Sequence, residues 1–416
     1  LGKFIINGGQ HLQGEVQISG AKNAVLPILA GTVLAEGECT IGRVPHLRDV
    51  KVMQEVLTTL GAKVKEEEDK LIIDNKGLSS YEIPESLMRK MRATVFLMGP
   101  LVARFGQFKI SQPGGCSIGT RPIDLHLKGL RALGVEFKQG HGFLEGKAKK
   151  LTGAEIHLDF PSVGATENIM MAATRAEGKT LIYNAAREPE IVDLQNFLNQ
   201  LGANVRGAGT DVIKIKGVKK LHPVEYQVIP DRIEAGTFLV AAAITRGDVL
   251  VKDVIPEHIE AVIAKLTEAG INLKVDGDQI RVIGQDNWKG VNVKTLPYPG
   301  FATDMQAQFM TFLSIAKGTS VITETIFENR LKHADELRRM GAEVKIEGNS
   351  AIITGVEKLS GTTVEATDLR AGAALVLAGL ASEGKTQVEN IYHIDRGYEF
   401  LTEKLSDLGA NISRKE

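Results

Sequence analysis

Cysteine is nearly missing from this chain. Two residues in 416, Cys39 and Cys116, exclude a disulfide framework, and a reducing, cytoplasmic setting is the simplest expectation. Excess charge is missing too. Fifty basic against 51 acidic residues leave a formal net charge of -1. That balance gives no general pull toward nucleic acid or an anionic membrane surface. No run of about eighteen apolar residues occurs, so no membrane span is expected, and no charged-then-apolar signal segment opens the chain. Neither a Gly-x-Gly-x-x-Gly after a strand nor a Gly-x4-Gly-Lys-Ser/Thr is present. The nine histidines never take ligand spacing, so no metal and no cofactor are expected. No low-complexity linker divides the chain.

What is present is a repeat. Six times the chain runs through a small-residue apolar helix, a glycine, a strand, a second helix, a second glycine and two short strands. The second glycines are Gly61, Gly134, Gly202, Gly270, Gly341 and Gly409, at intervals of 68 to 73 residues. The first are Gly37, Gly106, Gly178, Gly247, Gly318 and Gly384. Copy six stops before its last strands. The N-terminus supplies them, because Ile5-Ile6-Asn7-Gly8 through Ala24 aligns without gaps on Ile352-Ile353-Thr354-Gly355 through Ala371. The expected fold class is therefore α/β, in two domains of three units each. One covers roughly 21–229, the other 230–416 plus 1–20, and the two chain crossings serve as a hinge. The opening helices are apolar on every side, which places them inside with the sheets outside.

Polar residues stand at the turns before the buried helices, where a scaffold alone does not need them. They are Lys22 and Asn23, Arg89 and Arg92, Ser162-Val163-Gly164, Asp231-Arg232, Asp304, and Asp368 with Arg370. A second loop type carries Arg121, Arg187, Arg330 and Arg396. If the units are equivalent, these turns converge on one cleft between the domains. Helix N-termini and Arg or Lys there suit phosphate or carboxylate. Ser162 and Asp231 also read as plain N-caps, and His126 and His393 as partly exposed structural histidines. Copy two alone is lengthened, by Gln112 through Pro122. Cys116 lies in that Gly-rich insertion, near Arg121 and before a helix, as an activated thiol would. Cys39, in a strand, reads as inert packing.

Pro113-Gly-Gly-Cys-Ser-Ile-Gly-Thr-Arg-Pro-Ile-Asp-Leu-His126 resembles the active-site loop of the UDP-N-acetylglucosamine enolpyruvyl transferases. Gly20-Ala-Lys-Asn-Ala24, Ser162–Glu167, Pro230–Thr237, Pro299–Asp304, Phe327–Arg330, Thr367–Ala371 and His393–Tyr398 extend the resemblance over the whole chain. It implies two inside-out α/β domains. It further implies transfer of the enolpyruvyl group of phosphoenolpyruvate to the 3-hydroxyl of UDP-N-acetylglucosamine, with release of phosphate. That is the first committed step of peptidoglycan precursor synthesis, in a family that fosfomycin inactivates.

The resemblance assigns phosphoenolpyruvate to Lys22, Asn23, Arg121, Arg330, Arg370 and Arg396. UDP-N-acetylglucosamine falls to Asn23, Arg92, Arg121, Pro122, Ile123, Asp124, Leu125, Ser162, Val163, Gly164, Asp304 and Ile326. Cys116 is the implied acid toward C3 or an aid to product release, Asp304 the implied base, and Asp368 a second proton carrier or an orienter of Arg. An Asp304→Ala chain is expected to stay folded. Relatives often carry Lys-Val where this chain has Phe160-Pro161, so those two residues are left unassigned. The alternatives are a 3-phosphoshikimate 1-carboxyvinyltransferase-type enzyme and a silent sugar-nucleotide-binding paralogue.

Overall fold

The structure is a computed structural model of the chain, and it describes residues 2–111, 118–119, 122–140 and 142–416. These divide into two compact units. One holds residues 20–111 and 122–229. The other holds 2–19, 118–119 and 230–416. The sequence reading kept Ile118 and Gly119 with the first domain. Their contacts put them in the second unit, where Asn329 N–H donates to Ile118 O at 3.1 Å.

Each unit repeats one motif three times. A buried helix leads to an outer strand, then a second helix, then a hairpin whose inner strand returns antiparallel beside the first. In copy four the helix Arg232–Ile244 is followed by Asp248–Lys252, Glu260–Ala269, Asn272–Asp276 and Gln279–Ile283. Val249 and Val251 face Val282 and Ile280 across the ladder, and all four side chains are buried. The strand alternates because only one face is covered.

The fourth strand of most sheets comes from the preceding copy and pairs parallel. In the first unit Glu225–Gln227, the chain's last strand there, pairs with Glu38–Gly42 of copy one and closes the set. In the second unit Gln13–Gln17 does the same beside Asp248–Lys252. The strand Lys3–Asn7 lies between Lys385–Glu389 and Asn411–Lys415, with Phe4 opposite both Val388 and Arg414. Copy six keeps its own strand Asn411–Lys415, so the N-terminus supplies one strand of that hairpin rather than both, in the place that the alignment of Ile5 with Ile352 expects.

The opening helices form the interiors. Every residue of Ile233–Ile244 and of Arg370–Leu380 is buried. Their small residues let backbones approach closely. A Cβ on Gly99 would lie 2.3 Å from the Asn168 carbonyl. Two separate apolar clusters result, one per unit. No helix of the described residues is long and apolar enough to cross a membrane.

All six second glycines are left-handed, with φ between +91° and +108°. They end the second helix of each copy, where a Cβ would be strained. Gly247 breaks the pattern of the first glycines. Arg246 takes the positive φ, +55°, in its place. Gly247 is needed for space instead, because a Cβ there would lie 2.3 Å from Leu12 O. That carbonyl accepts the Asp248 N–H at 2.9 Å. Gly247→Ala is therefore expected to cost about 1–3 kcal/mol by overpacking, read as a lower denaturation midpoint. An unchanged midpoint would show that the strand Gln13–Gln17 yields freely.

Candidate active site

In the first unit the predicted residues sit at neighbouring helix starts. Lys22 opens the helix Lys22–Gly31 and is almost buried. Its Nζ lies 3.0 Å from Asp49 Oδ2, whose side chain is 3% exposed. Asn23 follows, half-buried. Arg92 opens the 3-10 turn Arg92–Leu97, which packs against both Lys22–Gly31 and the helix Val163–Ala173. Pro122 and Ile123 lead into the helix Asp124–Ala132, which begins Asp124-Leu125. That helix also packs on Val163–Ala173.

The helices Asp124–Ala132 and Val163–Ala173 and the turn Arg92–Leu97 come together at Gly164. A Cβ there would come within 3.1 Å of the His126 ring and 3.2 Å of Phe96. His126 is buried rather than partly exposed, and its Nδ1 lies 2.8 Å from Asn168 Nδ2. Ser162 is the N-cap of Val163–Ala173, its Oγ accepting the Ala165 N–H at 3.4 Å. Phe160, just before it, is 43% exposed. Cys116 and Arg121 lie outside the described residues.

Sequence reading passed over Glu167 in this unit, although its motif contains it. Neither carboxyl oxygen has a hydrogen-bond partner among the described residues. Burial pushes its pKa well above the usual carboxylate range, and Glu190 and Glu188 push it further.

In the second unit the centre is Asp304, on the turn Thr303–Met305 ahead of the helix Gln306–Leu313. Its Oδ1 takes the Arg330 Nη2 at 2.8 Å. Its Oδ2 takes Arg370 Nη2 at 2.9 Å and Nε at 3.2 Å. The two Arg side chains are 5% and 2% exposed, against 23% for Asp304. Burial alone would raise the Asp304 pKa, but Arg370 and then Arg330 outweigh it and hold the carboxyl far below its usual range. Burial would lower Arg370, yet Asp304 keeps it above its usual value. Among the described residues no atom accepts the hydrogens of Arg330 Nε and Arg370 Nη1, and buried donors of that kind suit an anion.

Arg370 is placed by the helix Leu369–Ala381, of which Asp368 is the N-cap. Asp368 Oδ1 accepts the N–H groups of Arg370 and Ala371 at 2.9 and 3.0 Å. Asp368 therefore orients Arg370 through the backbone. Asp231 caps Arg232–Ile244 in the same way, at 2.8 and 2.9 Å from Ile233 and Glu234 N–H. Arg396 ends the 3-10 turn Ile391–Arg396 and is half-buried. Two helpers were missed. The Tyr398 ring lies 5.4 Å below the Arg370 guanidinium, its hydroxyl 2.8 Å from Thr237 Oγ1. Tyr398 sits in a quoted motif, so its signal was available. Glu324, 3% exposed, offered none beyond standing two residues before Ile326.

The family described as EPSP synthase (3-phosphoshikimate 1-carboxyvinyltransferase) matches residues 6–405. The UDP-N-acetylglucosamine 1-carboxyvinyltransferase 1 of Caldanaerobacter subterraneus subsp. tengcongensis is 58% identical over 99% of both chains. The protein of the same name from Symbiobacterium thermophilum is 58% identical over 99% of this chain and 95% of its own. Among solved structures, the enolpyruvyl transferase NikO from Streptomyces tendae matches with a TM-score of 0.91 at 25% identity, covering 100% of this chain and 99% of its own. With the repeat, the helix-start residues and the Asp304 cluster already in place, these matches make the chain a member of the enolpyruvyl transferase family, on the UDP-N-acetylglucosamine 1-carboxyvinyltransferase branch.

Proposed function

We propose that the protein transfers the enolpyruvyl group of phosphoenolpyruvate to the 3-hydroxyl of UDP-N-acetylglucosamine and releases phosphate. The observation that carries this reading is whole-chain identity of 58% to enzymes of that name. The grouping of Asp304 with two buried Arg supports it. The shikimate-type alternative is not favoured, since the family match is shared while the high identity lies on the other branch. Both substrates are small anionic metabolites, so the enzyme works in the cytoplasm on peptidoglycan precursors.

The chemistry is addition followed by elimination. C3 of the enol phosphate gains a proton, and C2 becomes cationic. The sugar oxygen bonds to C2 and loses its proton. C3 then gives up a proton while the C2–O bond to phosphate breaks, which restores the double bond. Lys22, Arg121, Arg330, Arg370 and Arg396 bind the phosphate and carboxylate, with Asn23 beside them. Arg92, Pro122–Leu125, Ser162–Gly164 and Ile326 hold the sugar nucleotide. Cys116 protonates C3, and Asp304 takes the hydroxyl proton.

This reading explains why Asp304 is so weak a base in the free protein. Its two Arg partners hold it ionised but unwilling to accept a proton. An arriving anion shares those cations, weakens their hold and raises the proton affinity of Asp304. The same logic applies to Lys22, which is already paired with Asp49.

Phosphate release is the test. With phosphoenolpyruvate present, release is expected with UDP-N-acetylglucosamine and at background with shikimate 3-phosphate. Release with shikimate 3-phosphate alone would move the chain to the other branch. Binding of the sugar nucleotide without release would make it a silent paralogue.

A further inference from the structure

Glu324 is a buried carboxylate just beyond the strand Thr319–Thr323, and its side-chain bonds run to Thr295, Thr303, Ile326 and Phe327. Oε1 gathers three donors: Ile326 N–H at 2.7 Å, Phe327 N–H at 3.2 Å and the Thr295 hydroxyl at 2.9 Å. Oε2 accepts the Thr303 hydroxyl at 2.8 Å. Thr303 Oγ1 in turn accepts Arg330 Nη1 at 3.2 Å. The same guanidinium reaches Asp304 through its other terminal nitrogen.

One carboxylate therefore joins two chain segments distant in sequence. One segment is the turn that presents Asp304, and the other runs from Ile326 to Arg330. A bare scaffold explanation accounts for the Oε1 bonds, which simply satisfy the backbone after a strand. It does not account for Oε2. Thr303 is half-buried and adjacent to Asp304, where water would serve a hydroxyl as well.

We propose that Glu324, acting through Thr303, is a positioning residue that fixes Arg330 against Asp304 for the transfer reaction. The inference rests on the function proposed above. Its chemistry depends on direction. Thr303 must donate to Glu324 if its lone pairs are to receive Arg330. A charged carboxylate enforces that direction because it only accepts. The amide of Glu324→Gln keeps the bulk and one accepting oxygen, but it can turn its NH2 toward Thr303. The Thr303 hydrogen then loses its acceptor.

The experiment compares the full chain with Thr303→Val, Thr303→Ser and Glu324→Gln, using phosphate release and thermal melting. Thr303→Val leaves the Oε1 bonds untouched, so it reports on the link even if Glu324→Gln folds poorly. Loss of alignment near reacting groups is costly, and a fall in kcat of about 10–100-fold is expected for Thr303→Val. Thr303→Ser, which keeps the hydroxyl, should return within about threefold of wild type on the same grounds. The acidic limb of the kcat profile, which reports groups in the substrate complex, should move to higher pH in Thr303→Val. A loosened Arg330 holds the Asp304 carboxyl down less firmly, so it protonates earlier as pH falls. A merely structural role would lower the melting point and leave that limb in place. Wild-type kcat and an unmoved limb in Thr303→Val would overturn the inference while the enzyme reading stands. A wild-type chain that releases no phosphate removes both.

Discussion

Replacing Asp304 with Asn is expected to lower kcat by about 10²–10⁴-fold, the usual effect of losing a positioned base. The amide matches the carboxylate in size and takes no proton. Stability should fall as well, because Arg330 and Arg370 are left facing a neutral group. Breaking a buried pair in this way costs about 3–5 kcal/mol, a large part of the roughly 5–15 kcal/mol that holds a typical domain. Asp304→Ala adds a cavity to that loss. The Ala variant is expected to fold with a smaller margin, and the reason is the pair of buried guanidiniums at 2.8 and 2.9 Å. Denaturation midpoints and turnover of the folded fraction separate the two effects. The pH dependence carries a sign. Asp304 has a depressed pKa in the fold, so its contribution is complete above about pH 4, the ordinary carboxylate value. It is lost only as pH falls toward the depressed value, and the gap between wild type and Asp304→Asn should narrow there. Turnover within about threefold of wild type would leave Asp304 without the role of base.

How far the sequence disclosed this arrangement differs from residue to residue. Periodic features were plain. Six left-handed glycines end six equivalent helices, and the alignment of Ile5 with Ile352 put the first strand into the last sheet. Those features are local and repeated, so a one-dimensional reading finds them. Capping was half legible. Ser162 and Asp231 were open to that reading and do cap their helices. Asp368 was expected to move protons or orient Arg, and its visible role is to cap the helix that carries Arg370. Pairings between distant segments were hidden. Lys22 and Asp49 are 27 positions apart, and Asp304 and Arg370 are 66 apart. The sequence shows cations at anion-binding turns but not the carboxylates that occupy them in the free protein. Glu324 was invisible for the same reason, since a single Glu after a strand has no signature. The repeat marks Gly247 as one of six first glycines but not its reason, which is the close approach of Leu12 O.

Electrophiles should label Cys116 well before Cys39, and fosfomycin should inactivate the enzyme through that label. Cys39 is fully buried in the strand Glu38–Gly42. Burial raises its thiol pKa, against a smaller opposing effect of a hydrogen bond with the Val224 backbone. It is both hard to reach and rarely ionised. Cys116 stands between Gly115 and Ser117, five residues before Arg121. A neighbouring cation lowers a thiol pKa, and each unit of lowering below ~8.5 raises the thiolate fraction at neutral pH about tenfold. The family resemblance implies that this cysteine is the point of fosfomycin attack. The thiolate opens the epoxide, a C–S bond forms as a C–O bond breaks, and the resulting alkoxide takes a proton. The phosphonate mimics a small anionic substrate, so bound UDP-N-acetylglucosamine should accelerate inactivation by completing the site around it. Cys116→Ser should abolish labelling and impair turnover, because an alcohol is a much weaker acid than a thiol near pH 7. Cys116→Asp should resist the drug and keep measurable turnover, since a carboxyl still carries a proton. Mass spectrometry of the treated protein reads the site of attachment directly. An adduct on Cys39, or an unmodified Cys116 in active enzyme with the sugar nucleotide present, would remove Cys116 from the reaction.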